Sequence, residues 1–198
     1  MDHTSPFFLP GTRRSVGDAL IVNIFGGPGI GKTTLAARLF AELKSRDVEA
    51  ACPEEYAKIA LWQGRDYLLD NQLILLGRTW DMISSLSNKV DVIILDSPIL
   101  LCSHYAGQRE PKHFHQTVLD FHQRQDRINI LLQRDHSMAY STAGRRESSD
   151  RAKEIDLQIA SLLAEAEENY VSMDPASMSL DPLTWAVLAS LSRSKSLD

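Results

Sequence analysis

The residues that most plainly carry chemistry are Gly26 to Thr33, GGPGIGKT, which fit the pattern G-x-x-x-x-G-K-[ST] with Gly26, Gly31, Lys32 and Thr33 in the fixed places. Glycines at this spacing let the backbone curl into a nest whose N–H groups point at phosphate oxygens. A helix starting there adds the positive end of its dipole. In that geometry the loop from Gly26 through Gly27, Pro28, Gly29, Ile30 and Gly31 to Thr34 lines the phosphates. Lys32 reaches the β- and γ-phosphates, and the Thr33 hydroxyl ligates Mg²⁺. A random chain of this length meets the pattern roughly 1% of the time. Asp96 extends the same chemistry. It closes the apolar run VDVIIL, where a carboxylate holds Mg²⁺ through water or anchors Thr33. Ser97 follows it, in the place where many ATP-hydrolysing motors carry a water-activating glutamate. That points away from a motor and towards transfer to an acceptor.

Other polar residues are placed for an acceptor. Glu54 and Glu55 follow a short apolar stretch, and a carboxylate there would take the proton of an acceptor hydroxyl. The alternative is that both simply open the next helix, where acidic residues suit the dipole. Asn71 and Gln72 stand among leucines, where either would read a base edge or mark a helix boundary. Trp62 and Arg65 would stack on or hold the acceptor, although such a tryptophan more often joins a core. Further along, QRDHSMAYSTAGRRESS brings Arg134, Tyr140, Gly144, Arg145 and Arg146 into one polar loop. As a lid, its arginines would neutralise charge on a transferring phosphoryl group while closure excludes water. Asn88-Lys89-Val90-Asp91 matches the NKxD that reads guanine, but it enters its strand from the end opposite the phosphates. No DxxG follows Asp96 either, so a Ras-like GTPase is rejected.

Positioning these groups requires strands that alternate with helices. ALIVNIF (19–25), VEAAC (48–52), VDVIIL (90–95), INILL (128–132) and NYVSM (169–173) read as strands. Helices are expected over about 32–45, 54–62, 65–86, 112–125, 151–168 and 182–192. The pattern specifies an α/β fold of three layers, with ligands beyond the carboxyl ends of the strands. Residues 1–17 lack periodicity and read as a flexible arm, leaving 18–198 as one domain. The 198 residues leave little room for a second one. A net charge of −5 excludes a global basic field, so a nucleic-acid contact would need a local patch such as Arg13, Arg14 and Arg109. Cys52 and Cys102, far apart and outside any CxxC, suit a reducing compartment and read as buried small hydrophobes. His113 and His115 cannot share a helical face and read as surface histidines. With no leader pattern and no membrane-length apolar run, the expectation is a cytoplasmic protein without a membrane partner.

Taken together, GGPGIGKTT, EEYAK, WQGRDYLLDNQ, VDVIILDSPILL and R-x5-Y-x3-GR with Ile155-Asp156 downstream resemble the small P-loop ATPase/kinase family widespread in bacteriophage genomes. That family is similar to nicotinamide riboside kinases and, more distantly, to nucleoside and nucleotide kinases. The resemblance covers about residues 20–173 and implies a five-stranded parallel sheet in kinase-like order, with the Asp96 strand beside the phosphate-loop strand. It also implies that Glu55 is the acidic residue after the second strand, that Gln72 contacts substrate, and that Arg134 and Arg145 are lid arginines. The implied reaction is ATP- and Mg²⁺-dependent transfer of a phosphate to a hydroxyl of a nucleoside- or nucleotide-like acceptor. The 5-hydroxymethyl group of a modified pyrimidine in DNA belongs to that acceptor class, since some family members act on hydroxymethyluracil. The rival reading is a nucleotide-dependent switch or partner-binding ATPase. Monomer and homodimer both remain open.

Overall fold

The computed structural model describes residues 19–134, 149–175 and 179–195. Five strands form one parallel sheet in the order β2-β3-β1-β4-β5, with β1 Leu20–Phe25, β2 Ala50–Ala51, β3 Val92–Leu95, β4 Arg127–Leu132 and β5 Val171–Met173. As expected, the strand ending at Asp96 lies directly beside the strand that feeds the glycine loop, with Leu20 opposite Val92 and Asn23 opposite Leu95. The NKVD tetrapeptide accordingly sits at the amino end of β3, away from the loop.

Alternation along β1 explains the layers. Leu20, Val22 and Ile24 face one apolar cluster, which is completed by helix α1 (Lys32–Ser45) and the last helix, α7 (Asp181–Lys195). Leu35, Leu39 and Leu43 stand four apart on α1 and are fully buried there, each such burial contributing about 1.5–3 kcal/mol. Ile21 and Phe25 face the opposite cluster, covered by α3 (Gln72–Leu86), α4 (Leu101–Tyr105), α5 (Phe114–Gln123) and α6 (Ser149–Glu165). No described helix is long and apolar enough to cross a membrane.

The departures from expectation are local. The helix expected over 65–86 is interrupted: a 3-10 turn, Asp66–Asp70, precedes α3, and α2 is Tyr56–Trp62. Asn71 makes the break, its Oδ1 accepting the Ile74 N–H at 3.2 Å, while Glu110 Oε1 accepts the Gln72 N–H at 2.6 Å. Two first-turn donors that the helix cannot satisfy are thus met by side chains. Helix α4 was not expected; its apolar residues Leu101 and Cys102 continue the core beyond the Ser97-Pro98 bend. Burial pushes the Cys102 thiol up to about 12, as suits a small hydrophobe, whereas Cys52 is only partly buried. Trp62 is not a core residue: it is 67% exposed, with the Lys58 ammonium 5.0 Å over its ring. His113 and His115 are exposed, as expected.

Candidate active site

The glycine loop connects β1 to α1. Gly31 begins α1 with φ of 107°, a left-handed conformation that a side chain would strain, and Ile30 between the glycines is buried in the core. The loop is therefore held from below by an apolar anchor, with Gly29 exposed at its tip. Lys32 donates across it, its Nζ lying 2.7 Å from the Gly26 carbonyl oxygen and 2.9 Å from that of Gly27. Burial holds the Lys32 pKa below the ordinary lysine value, a pull opposed by the carboxylates of Glu55, Asp96 and Asp156.

Thr33 and Asp96 meet as expected: Thr33 Oγ1 donates to Asp96 Oδ2 at 2.6 Å, and Asp96 is only 9% exposed at the end of β3. Mg²⁺ takes oxygen ligands and usually only one or two carboxylates, so a hydroxyl and a carboxylate brought together beside a phosphate nest fit it. Thr34 lies exposed in the first turn of α1.

The two glutamates separate. Glu54 is exposed, whereas Glu55 is partly buried and faces the same charges as the loop. Burial, and then the Asp96 carboxylate, raise the Glu55 pKa above the ordinary glutamate value, against the pull of Lys32 and a hydrogen bond from Ser97. Glu55 occupies the cap position of α2, yet its side chain makes no cap hydrogen bond. Its carboxylate is therefore not committed to a cap hydrogen bond.

Arg134 follows β4 and lies against the glycine loop. Its Nε donates to Asp156 Oδ2 at 2.6 Å, and one terminal nitrogen reaches Asp156 Oδ1 at 3.2 Å and the Pro28 carbonyl oxygen at 2.9 Å. Asp156 stands on α6 and also accepts the Gly27 N–H at 2.6 Å. The sequence motif assigns Asp156 no role, and no local signal marks its contact with the loop.

Gln72 and Arg65 are occupied locally. Gln72 is buried, and its Nε2 donates to the Leu69 carbonyl oxygen at 2.7 Å; Arg65 donates to the Gln63 side chain. Arg145, Arg146, Tyr140 and Gly144 lie outside the described residues, as does the arm with Arg13 and Arg14. Arg109 is exposed.

A glycine nest, a lysine across it and a buried strand-end aspartate on the threonine make up a nucleotide-binding P-loop. A sequence model of the AAA domain family matches residues 21–179. The chain belongs to that family. Among solved structures, this AAA domain is similar to a NadR protein in complex with NR, at a TM-score of 0.56 and 20% identity. The alignment covers 87% of this chain and 50% of that one, so the chain spans about half the length of this relative. The likeness is one of fold. A gluconokinase from Sinorhizobium meliloti 1021 aligns at a TM-score of 0.42 and 12% identity, covering 93% of this chain and 97% of that one. No curated protein matches the AAA domain described here.

Proposed function

We propose that the protein is an ATP- and Mg²⁺-dependent phosphotransferase acting on a hydroxyl of a nucleoside- or nucleotide-like acceptor. The observation that carries this reading is Glu55: a partly buried carboxylate with a raised pKa, uncommitted to helix capping, beside both Lys32 and Asp96. A general base needs reach and a pKa moved towards the working pH, and phosphoryl transfer otherwise needs positioning and charge stabilisation. The loop amides and Lys32 hold the phosphates. Thr33 and Asp96 hold Mg²⁺, which when bound neutralises charge on the phosphate oxygens. Glu55 accepts the proton of the acceptor hydroxyl. Arg134 and Arg145 are the candidates for stabilising the transferring group, and Arg65 and Gln72 the candidates for contacting the acceptor. Ser97, rather than an acid, after Asp96 favours an organic acceptor over water.

The test is incubation with ATP-Mg²⁺ and a panel of nucleosides, nucleotides, nicotinamide riboside and DNA carrying hydroxymethylpyrimidines. The fold likeness to a protein solved with NR places nicotinamide riboside in the panel. A mass gain of one phosphate on an acceptor is expected. ADP release with no phosphorylated acceptor would support the nucleotide-dependent switch instead.

A further inference from the structure

The P-loop is supported from two sides, and only one support is local. Ile30 anchors it to the core beneath. On its outer side, the Gly27 N–H ends on Asp156, 129 residues further along the chain, and Arg134 ties the same carboxylate to the Pro28 carbonyl. The approach is close enough to dictate the residue at position 27. A Cβ added to Gly27 would collide with Asp156 Oδ1 and sit 2.8 Å from the Ala152 carbonyl oxygen, one a side-chain atom and the other helix backbone. Helix α6 therefore touches the loop directly, with no space for even a methyl group between them.

We propose that Asp156 is a positioning residue for nucleotide binding: with Arg134 it clamps Gly27 and Pro28, fixing the P-loop in the shape that receives phosphate. The inference rests on the nucleotide reading above. It predicts an effect opposite in sign to that of simple charge. An aspartate beside a phosphate site repels a triphosphate through space, so removing its charge would by Coulomb's law tighten ATP binding. A brace acts the other way, because a loosened loop must be reordered when the nucleotide binds.

Asp156→Asn decides between them, since the amide keeps the size and one acceptor oxygen but loses the charge that holds the Arg134 fork. By calorimetry with ATP-Mg²⁺, the Kd should rise about tenfold, the loss expected when charge-assisted hydrogen bonds become neutral ones. Gly27→Ala should weaken binding comparably by pushing α6 away, and the double variant should be no worse than the weaker-binding single one, because both break the same contact. An Asp156→Asn protein that binds ATP as tightly as wild type or more tightly overturns the inference. A lower Tm with unchanged Kd does so too, showing a role in stability alone. If Asp156→Asn does not fold, Gly27→Ala carries the test, and unchanged affinity there overturns it. A wild-type protein that binds no ATP refutes the nucleotide reading itself, which separates that failure from this one.

Discussion

Two clusters of charged and amide groups lie in the same sheet layer and are treated in opposite ways. Under α5 and α6, Arg127 grips Glu168 with two nitrogens at 2.6 and 2.9 Å, Asn129 donates to the same carboxylate at 2.8 Å, and Asn23 donates to Asn129 at 3.0 Å. His122 is fully buried, with Nε2 3.4 Å from Glu168. Burial would raise the Glu168 pKa, but His122 and the Arg127 guanidinium outweigh it and pull the carboxyl down to about 2. At the carboxyl end of the sheet the carboxylate is treated the other way: burial and then Asp96 push Glu55 up, while burial pushes Lys32 down. The first cluster pairs Glu168 with Arg127 and Asn129 and so ties β4 to the turn before β5, while burial lowers the pKa of its His122. The other shifts Glu55 and Lys32 each towards its neutral form, an arrangement common at functional sites.

Substitutions should divide along that line. Lys32→Ala has the largest expected effect: a loss of about 10³-fold or more in phosphotransfer, with the Tm near wild type, because the residue acts on transition-state charge and not on the core. Undiminished turnover in that variant would refute the assignment. Glu168→Gln should do the converse, costing about 1.5–3 kcal/mol of folding stability in denaturant titration while the folded protein keeps its turnover, since it weakens the charge-assisted bonds from Arg127. In the parent, the Glu168 contribution is present above the ordinary carboxylate value of 4.5 and is lost as pH falls from there towards about 2. The variant should lack that part of the acid dependence. Glu55→Gln should lower kcat about 10²-fold, the low end for a general base. With Glu55 intact, kcat/KM should climb as pH rises through its raised pKa, and the substitution should remove that limb; an unchanged profile would end the base role. The smallest effect belongs to neither cluster. Lys44→Ala, which removes an exposed 3.0 Å pair with Glu49, should shift stability by about 1 kcal/mol or less and leave turnover alone.

The phosphate end was readable because its chemistry is local: eight adjacent residues specify the nest, and an apolar run specifies the strand that delivers Asp96. The number of strands was likewise legible, since buried parallel strands read as unbroken apolar runs, while the placing of β3 beside β1 was implied by the family resemblance. Long-range contacts were not. Nothing near Asp156 in sequence announces that it meets Gly27, and Asn23 inside a strand gives no hint of Asn129, 106 residues away. Trp62 shows the limit of composition: an aromatic residue in an apolar helix reads as core, yet only Ala60 of α2 is buried. The break at Asn71 was legible only as one alternative, because leucines continue on both sides of it and the Glu110 carboxylate that stabilises it comes from a distant loop.

The strand lengths carry one more consequence. The three inner strands have six, six and four residues, while the outer ones, β2 and β5, have two and three. A sheet edge is a row of unsatisfied donors and acceptors that another chain can extend, and short edges are one way proteins blunt that hazard. Here the sheet tapers at both sides, so the long central strands that carry the glycine loop and Asp96 are also the part least available for strand-to-strand aggregation.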